Sequence, residues 1–96
     1  MSGSDARWVL YLIECRRGND ATGKTAFYTG ITTDLQRRFD AHAAGTGARY
    51  TRANPPLRIV ATREYPDRSA ALKAEAAVKK LPRQAKPAFF RSEPPP

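Results

Sequence analysis

Cysteine is nearly absent. Cys15 stands alone, so the chain can form neither an internal disulfide nor a thiol metal cluster. That usage fits a reducing cytosol and gives the expectation of a cytoplasmic protein. At the end of an apolar run, Cys15 reads as a small packing residue and not as a nucleophile. Long hydrophobic runs are missing as well. No segment approaches ~18 consecutive apolar residues, so no membrane span is expected. The opening Met1-Ser2-Gly3-Ser4-Asp5 is polar and carries no signal-type apolar stretch. Tryptophan occurs once, and hydrophobic residues make up 41% of 96, which allows one small domain with a thin core. Acidic residues are scarce: nine Asp and Glu against 17 Lys and Arg leave a charge of +8. So large an excess on so small a body points to a polyanionic partner, nucleic acid first. Charge alone does not separate DNA from RNA or from an anionic lipid.

What is present is an ordered series of short elements. Trp8-Val9-Leu10-Tyr11-Leu12-Ile13, bounded by Arg7 and Glu14, reads as a buried central strand. Arg16 to Thr25 is turn chemistry, with two glycines and an Asn-Asp pair, longer than a minimal hairpin loop. Ala26–Ile31 reads as a second strand, antiparallel to the first. Thr33 is expected to cap the next helix, with Gln36 at capping-box spacing and Asp34 in the first turn. Leu35 and Phe39 form that helix's core-facing pair, and Arg38 and His42 share an adjacent face. Gly45 and Gly47 end it. Arg49–Pro56 reads as a basic loop with an interleaved tyrosine. Leu57–Tyr65 reads as a third strand with Leu57, Ile59 and Ala61 on one face. Asp67 or Ser69 opens an alanine-rich helix that runs to about Leu81, where Pro82 stops it. Its apolar stripe is Ala71, Ala74, Val78 and Leu81, with Glu75 at the edge of the stripe. One or two helical turns follow, in which Phe89 and Phe90 cover an edge of the core. Residues 7–91 are expected to form the domain, between a flexible 1–6 and a Pro-rich disordered 92–96. The fold class expected is α+β, in the order β-β-α-β-α, with a three-stranded antiparallel sheet flanked by helices.

Val9-Leu10-Tyr11, Tyr28-Thr29-Gly30 and the helix Thr32-Thr33-Asp34-Leu35-Gln36-Arg37-Arg38-Phe39-Asp40-Ala41-His42 together resemble the GIY-YIG nuclease domain. The stretches Gly45-Thr46-Gly47-Ala48 and Asp67-Arg68-Ser69-Ala70-Ala71-Leu72-Lys73-Ala74-Glu75 extend the likeness to about residues 8–86. It is similar to the small stand-alone bacterial members. The resemblance implies a divalent-metal-dependent endonuclease that hydrolyses phosphodiester bonds, with repair or recombination as its setting. In those terms Tyr11, Tyr28, Arg38, His42 and Glu75 are the candidate catalytic residues. Glu75 would be the single protein ligand of Mg2+ or Mn2+, an ion that keeps several waters and often takes only one or two carboxylates. A guanidinium such as that of Arg38 stays charged and bonds two phosphate oxygens at once. Arg37, about 100° away around the helix, is the competing assignment.

Each residue also has a bland alternative. Tyr11 can simply fill core, Tyr28 can pack on the sheet, His42 can be a helix C-terminal histidine, and Glu75 can pair with Lys79. Arg16, Arg17, Lys24, Gly30, Arg37, Arg49, Arg52, Lys79 and Lys86 are candidate nucleic-acid contacts. Gly30 would allow a close backbone approach. Two departures from the family pattern stand out. The first tripeptide is Val-Leu-Tyr, and no asparagine follows Asn54. Lys86 or Gln84 occupies the region where many members carry one. The competing reading is a nucleic-acid-binding module with little or no catalysis. DNA is expected over RNA as partner, with a protein partner or a homodimer left open.

Overall fold

Apolar and β-branched residues on both faces make Trp8–Arg16 a strand, β1, and it becomes the middle one. In the computed structural model, which describes residues 7–18 and 23–91, β1 pairs antiparallel with β2 (Thr25–Thr32) and with β3 (Pro56–Tyr65). The sheet order is β2-β1-β3. Helices α1 (Leu35–Ala43), α2 (Arg49–Ala53), α3 (Arg68–Lys79) and α4 (Lys86–Arg91) flank it, with a 3-10 turn at Arg83–Ala85 before α4. This is the α+β arrangement expected, with α2 and the C-terminal turns added. The flexible 1–6, the disordered 92–96 and the middle of the β1–β2 loop, residues 19–22, lie outside the described residues.

Successive side chains of β1 point to opposite faces and so feed two cores. On one face Leu10 meets Ala74 and Val78 of α3, joined by Ile31, Tyr65, Phe89 and Phe90. On the other, Tyr11, Ile13 and Cys15 pack with Tyr28, Leu35, Phe39 and Ile59. Leu10, Leu12 and Ile13 are fully buried. Each such side chain contributes roughly 1.5–3 kcal/mol by leaving water. β1 therefore does most to hold the two layers together.

Four local expectations are corrected. Asp34, not Thr33, caps α1: its Oδ1 accepts from the Arg37 amide at 3.1 Å. A carboxylate is a charged acceptor at the positive end of the helix, and Gln36 turns away to Asp40 at 2.9 Å instead of closing a capping box. Asp67 caps α3 through the Ala70 amide at 2.8 Å, and α3 ends at Lys79, so Leu81 lies beyond the helix. Residues 49–53 form α2, not a loop. In β3, two register shifts leave Val60 and then Leu57 as extra residues against β1. Each bulge flips the alternation, so Leu57 is exposed instead of sharing a face with Ile59. Among the described residues no helix is long and apolar enough to cross a membrane.

Candidate active site

The antiparallel register of β1 and β2 sets Tyr11 opposite Gly30, and Ile13 opposite Tyr28. Both tyrosines therefore face α1. Gly30 has no side chain, and the Tyr11 phenol lies across it: a β-carbon there would collide with the hydroxyl and the ring. What comes close to Gly30 is the Tyr11 side chain, not a neighbouring backbone. From α1, His42 bonds the Tyr11 hydroxyl and Arg38, one turn earlier, acts on the same group.

His42 is buried at 1% exposure, so it is not the solvent-facing histidine of a helix end. Its Nε2 lies 3.1 Å from the Tyr11 hydroxyl, and its Nδ1 lies 2.6 Å from Thr51 Oγ1 on α2. Thr51 is itself buried and donates to the Ala48 carbonyl at 3.0 Å. A β-carbon at Gly47 would meet Nδ1 of the same ring. Gly30 and Gly47 thus clear space at the two ends of one Tyr11–His42 pair. The Tyr28 ring sets its edge toward His42 with centroids 5.3 Å apart, and its centroid lies 6.4 Å from that of Tyr11. Tyr50 of α2 stacks on Tyr28 at 5.7 Å and 19°.

The electrostatics follow from burial and from Arg38. Burial pushes the Tyr11 phenol above its ordinary range, and the charges of Tyr28 and Glu75 act the same way. Hydrogen bonding from Arg38, with its positive charge, works against that rise. Burial and the Arg38 charge both push the His42 imidazolium down, so the ring is neutral at pH 7. Arg38 also lines a cleft of about 270 Å³ with Thr32, Thr33, Asp34, Arg37 and Ala41, which brings solvent to the guanidinium.

Glu75 stands differently. It belongs to α3, whose buried residues pack on the other face of the sheet. It forms an i, i+4 ion pair with Lys79 at 3.5 Å, and 18% of its side chain is exposed. Its charge reaches the Tyr11 hydroxyl, so the two groups share one electrostatic field. Among the described residues no three His, Cys, Asp or Glu side chains cluster to hold a metal.

Of the basic residues singled out in the sequence, Arg16, Arg37, Arg49 and Arg52 are exposed. Arg17 and Lys24 line a second cleft of about 480 Å³ together with Gly23, Thr25 and Arg83. There Arg83 lies over the Phe27 ring at 4.8 Å and donates to Thr25 Oγ1 at 3.0 Å. Lys79 is engaged with Glu75, and Lys86 Nζ donates to the Val78 carbonyl at 2.8 Å, closing the end of α3. The structure thus gathers Tyr11, Tyr28, Arg38 and His42, with Glu75 coupled through charge. Sequence reasoning missed Thr51, Tyr50, Gly47 and Arg83. The sequence signal for the first three was the Gly45–Ala48 motif and the aromatic inside the basic stretch after it; Arg83 carried none.

Residues 7–87 match the model of the GIY-YIG catalytic domain. A UPF0213 protein of Xanthomonas axonopodis pv. citri is 53% identical over 87 residues, covering 91% of this chain and 78% of its own. A UPF0213 protein of Cupriavidus pinatubonensis is 47% identical, covering 88% and 87%. One from Halobacterium salinarum is 41% identical, covering 84% and 96%. The solution NMR structure of the UPF0213 protein BH0048 from Bacillus halodurans is 39% identical, covers 88% of this chain and 83% of that one, and superposes with a TM-score of 0.48.

Proposed function

The chain belongs to the GIY-YIG catalytic-domain family and to the UPF0213 proteins, and from that premise we propose that it is a divalent-metal-dependent DNA endonuclease. The observation that supports this reading is the meeting of Tyr11, Tyr28, Arg38 and His42, brought from two strands and a helix to one place. A packing role would explain one buried and one half-buried tyrosine. It does not explain a guanidinium and a neutral imidazole converging on the same phenol.

In this reading the scissile phosphate sits at the Arg38 cleft. Arg38 bonds phosphate oxygens and offsets the charge that grows there as the bond to the attacking oxygen forms. Tyr28, with its ring against His42, lies beside the incoming water and helps to take its proton. The buried Tyr11–His42 pair holds the phenol in place and offers a second proton acceptor, the imidazole. The donor set fits magnesium: a lone carboxylate, Glu75, with the substrate's own oxygens and waters completing a hard-oxygen shell. Such an ion would supply charge neutralisation at the leaving oxygen. Binding itself rests on phosphates, through the exposed arginines of α2 and the cleft of Arg17, Lys24 and Arg83. Selectivity would then arise from DNA shape or from a partner.

A second reading, binding without cleavage, draws on the Glu75–Lys79 ion pair, which engages the one candidate metal carboxylate. One experiment separates the two. Supercoiled, branched and single-stranded DNA are incubated at low salt with magnesium or manganese, against chelator. Wild type, Arg38→Ala and Glu75→Gln run in parallel with a binding assay. Metal-dependent cutting that both variants lose, with Glu75→Gln still binding, supports the endonuclease. Binding without cutting by wild type, unchanged in Glu75→Gln, supports the binding module.

A further inference from the structure

The hydrogen-bonded chain through His42 has a direction. At its far end is the carbonyl oxygen of Ala48, which can only accept. The Thr51 hydroxyl has one proton, and it donates to that carbonyl at 3.0 Å. Thr51 Oγ1 is then left to accept, and its partner at 2.6 Å is His42 Nδ1. At the near end, the Arg38 guanidinium acts on the Tyr11 oxygen and can only donate. The phenol's own proton needs an acceptor, and Nε2 stands 3.1 Å away. With the ring neutral, only one nitrogen carries hydrogen. Placing it on Nδ1 satisfies every member of the chain. Placing it on Nε2 leaves the buried phenol proton without that acceptor and sets two acceptors, Nδ1 and Thr51 Oγ1, against each other at 2.6 Å, a costly arrangement for buried groups.

We infer that Thr51 is a positioning residue that holds His42 as its Nδ1–H tautomer and so turns the Nε2 lone pair toward the Tyr11 hydroxyl. The chain runs Tyr11 O–H to Nε2, Nδ1–H to Thr51 Oγ1, and Thr51 O–H to the Ala48 carbonyl. When Tyr11 gives up its proton, Nε2 takes it. The product is a tyrosinate beside an imidazolium whose two N–H groups both have acceptors. The tyrosinate keeps Arg38 as its counter-charge. The titratable groups facing the ring are Tyr11 on β1, Tyr28 on β2 and Arg38 on its own helix; from α2 it meets the neutral Thr51. The catalytic consequence rests on the nuclease reading, whereas the tautomer does not.

His42 is the only histidine in the chain, so its ring gives a single, unambiguous set of signals. The test is a long-range 1H–15N correlation spectrum of the 15N-labelled full chain at pH 7, for wild type, Thr51→Val and Thr51→Ser. Expected is a protonated-type Nδ1 and an unprotonated-type Nε2 in wild type and in Thr51→Ser. In Thr51→Val, which keeps the shape but removes the acceptor, the ring should move to Nε2–H or to a mixture. At metal sites, losing the partner that orients a histidine costs about 10–100-fold in activity or affinity. Cleavage by Thr51→Val should fall by the same order, with Thr51→Ser close to wild type. An Nε2–H tautomer in wild type overturns the inference, even if Thr51→Val does not fold. So does an unchanged tautomer in Thr51→Val. A shifted tautomer with undiminished cleavage overturns the positioning role. A wild type that shows the expected tautomer and never cuts DNA sinks the nuclease reading alone.

Discussion

Tyr11 faces Gly30 across the β1–β2 ladder, and its phenol fills the volume that a β-carbon at Gly30 would take. The tyrosine is anchored by the His42 bond at its tip and by burial along its length, so it has little room to yield. Gly30→Ala should therefore cost about 1–3 kcal/mol, the usual range for overpacking a fixed core. Chemical denaturation measures it. In a Tyr11→Ala background the same change should cost far less, because the two effects share one contact. Equal costs in both backgrounds would show that the strand, and not the phenol, requires glycine.

Acid should weaken the fold in two stages. His42 is held below its ordinary value of 6.5, chiefly by burial. As pH falls below that value the unfolded chain takes up a proton that the folded one refuses, so stability drops until the folded group titrates. Glu14 is also lowered, first by its hydrogen bond from Thr25 and then by Arg58. Its contribution is full above its ordinary 4.5 and is lost as pH falls through its lower folded value. The denaturation midpoint should decline from pH 7 to pH 5, and His42→Gln should flatten that interval while leaving the loss below it.

Cys15 should be silent in the folded protein. It is fully buried, and burial with the nearby Glu14 charge pushes its thiol to about 11. At pH 8 almost no thiolate exists to react. Labelling with a disulfide reagent should follow unfolding and rise with denaturant. Fast labelling in native buffer would mean that β1 opens locally.

Arg17 should report on substrate phosphates. It lines the larger cleft with Lys24 and Arg83. Arg17→Ala should reduce the slope of log affinity against log salt by about one, and weaken all sequences alike. A sequence-dependent loss would point to base contacts instead.

The β-β-α-β-α order was legible because β1, α1 and α3 each carry a strong local pattern, and the tyrosine, arginine, histidine and glutamate could be placed on them. The misreadings arose where the deciding term is not local. Thr33 and Asp34 both suit a cap, and what separates them is the Thr32 hydroxyl, which accepts from the Asp34 amide at 3.1 Å. Bulges at Val60 and Leu57 depend on pairing with β1, so the alternation in β3 alone gives the wrong phase. α2 is only five residues long, too short to be stable without tertiary contacts. It forms where Thr51 meets His42, so its helical state and its role become visible together.

The middle position of β1 has a consequence for synthesis. The ribosome makes Trp8–Arg16 before the other elements, yet that strand is flanked by two made later, and Trp8 pairs with Tyr65. Until Tyr65 has emerged, one edge of β1 has no β3 to bond. A half-made chain would carry an open, apolar strand edge, which invites association with other nascent chains. Leu10, whose partners Ala74 and Val78 belong to α3, is thus carried on the earliest of the three strands and is among the last side chains to be enclosed.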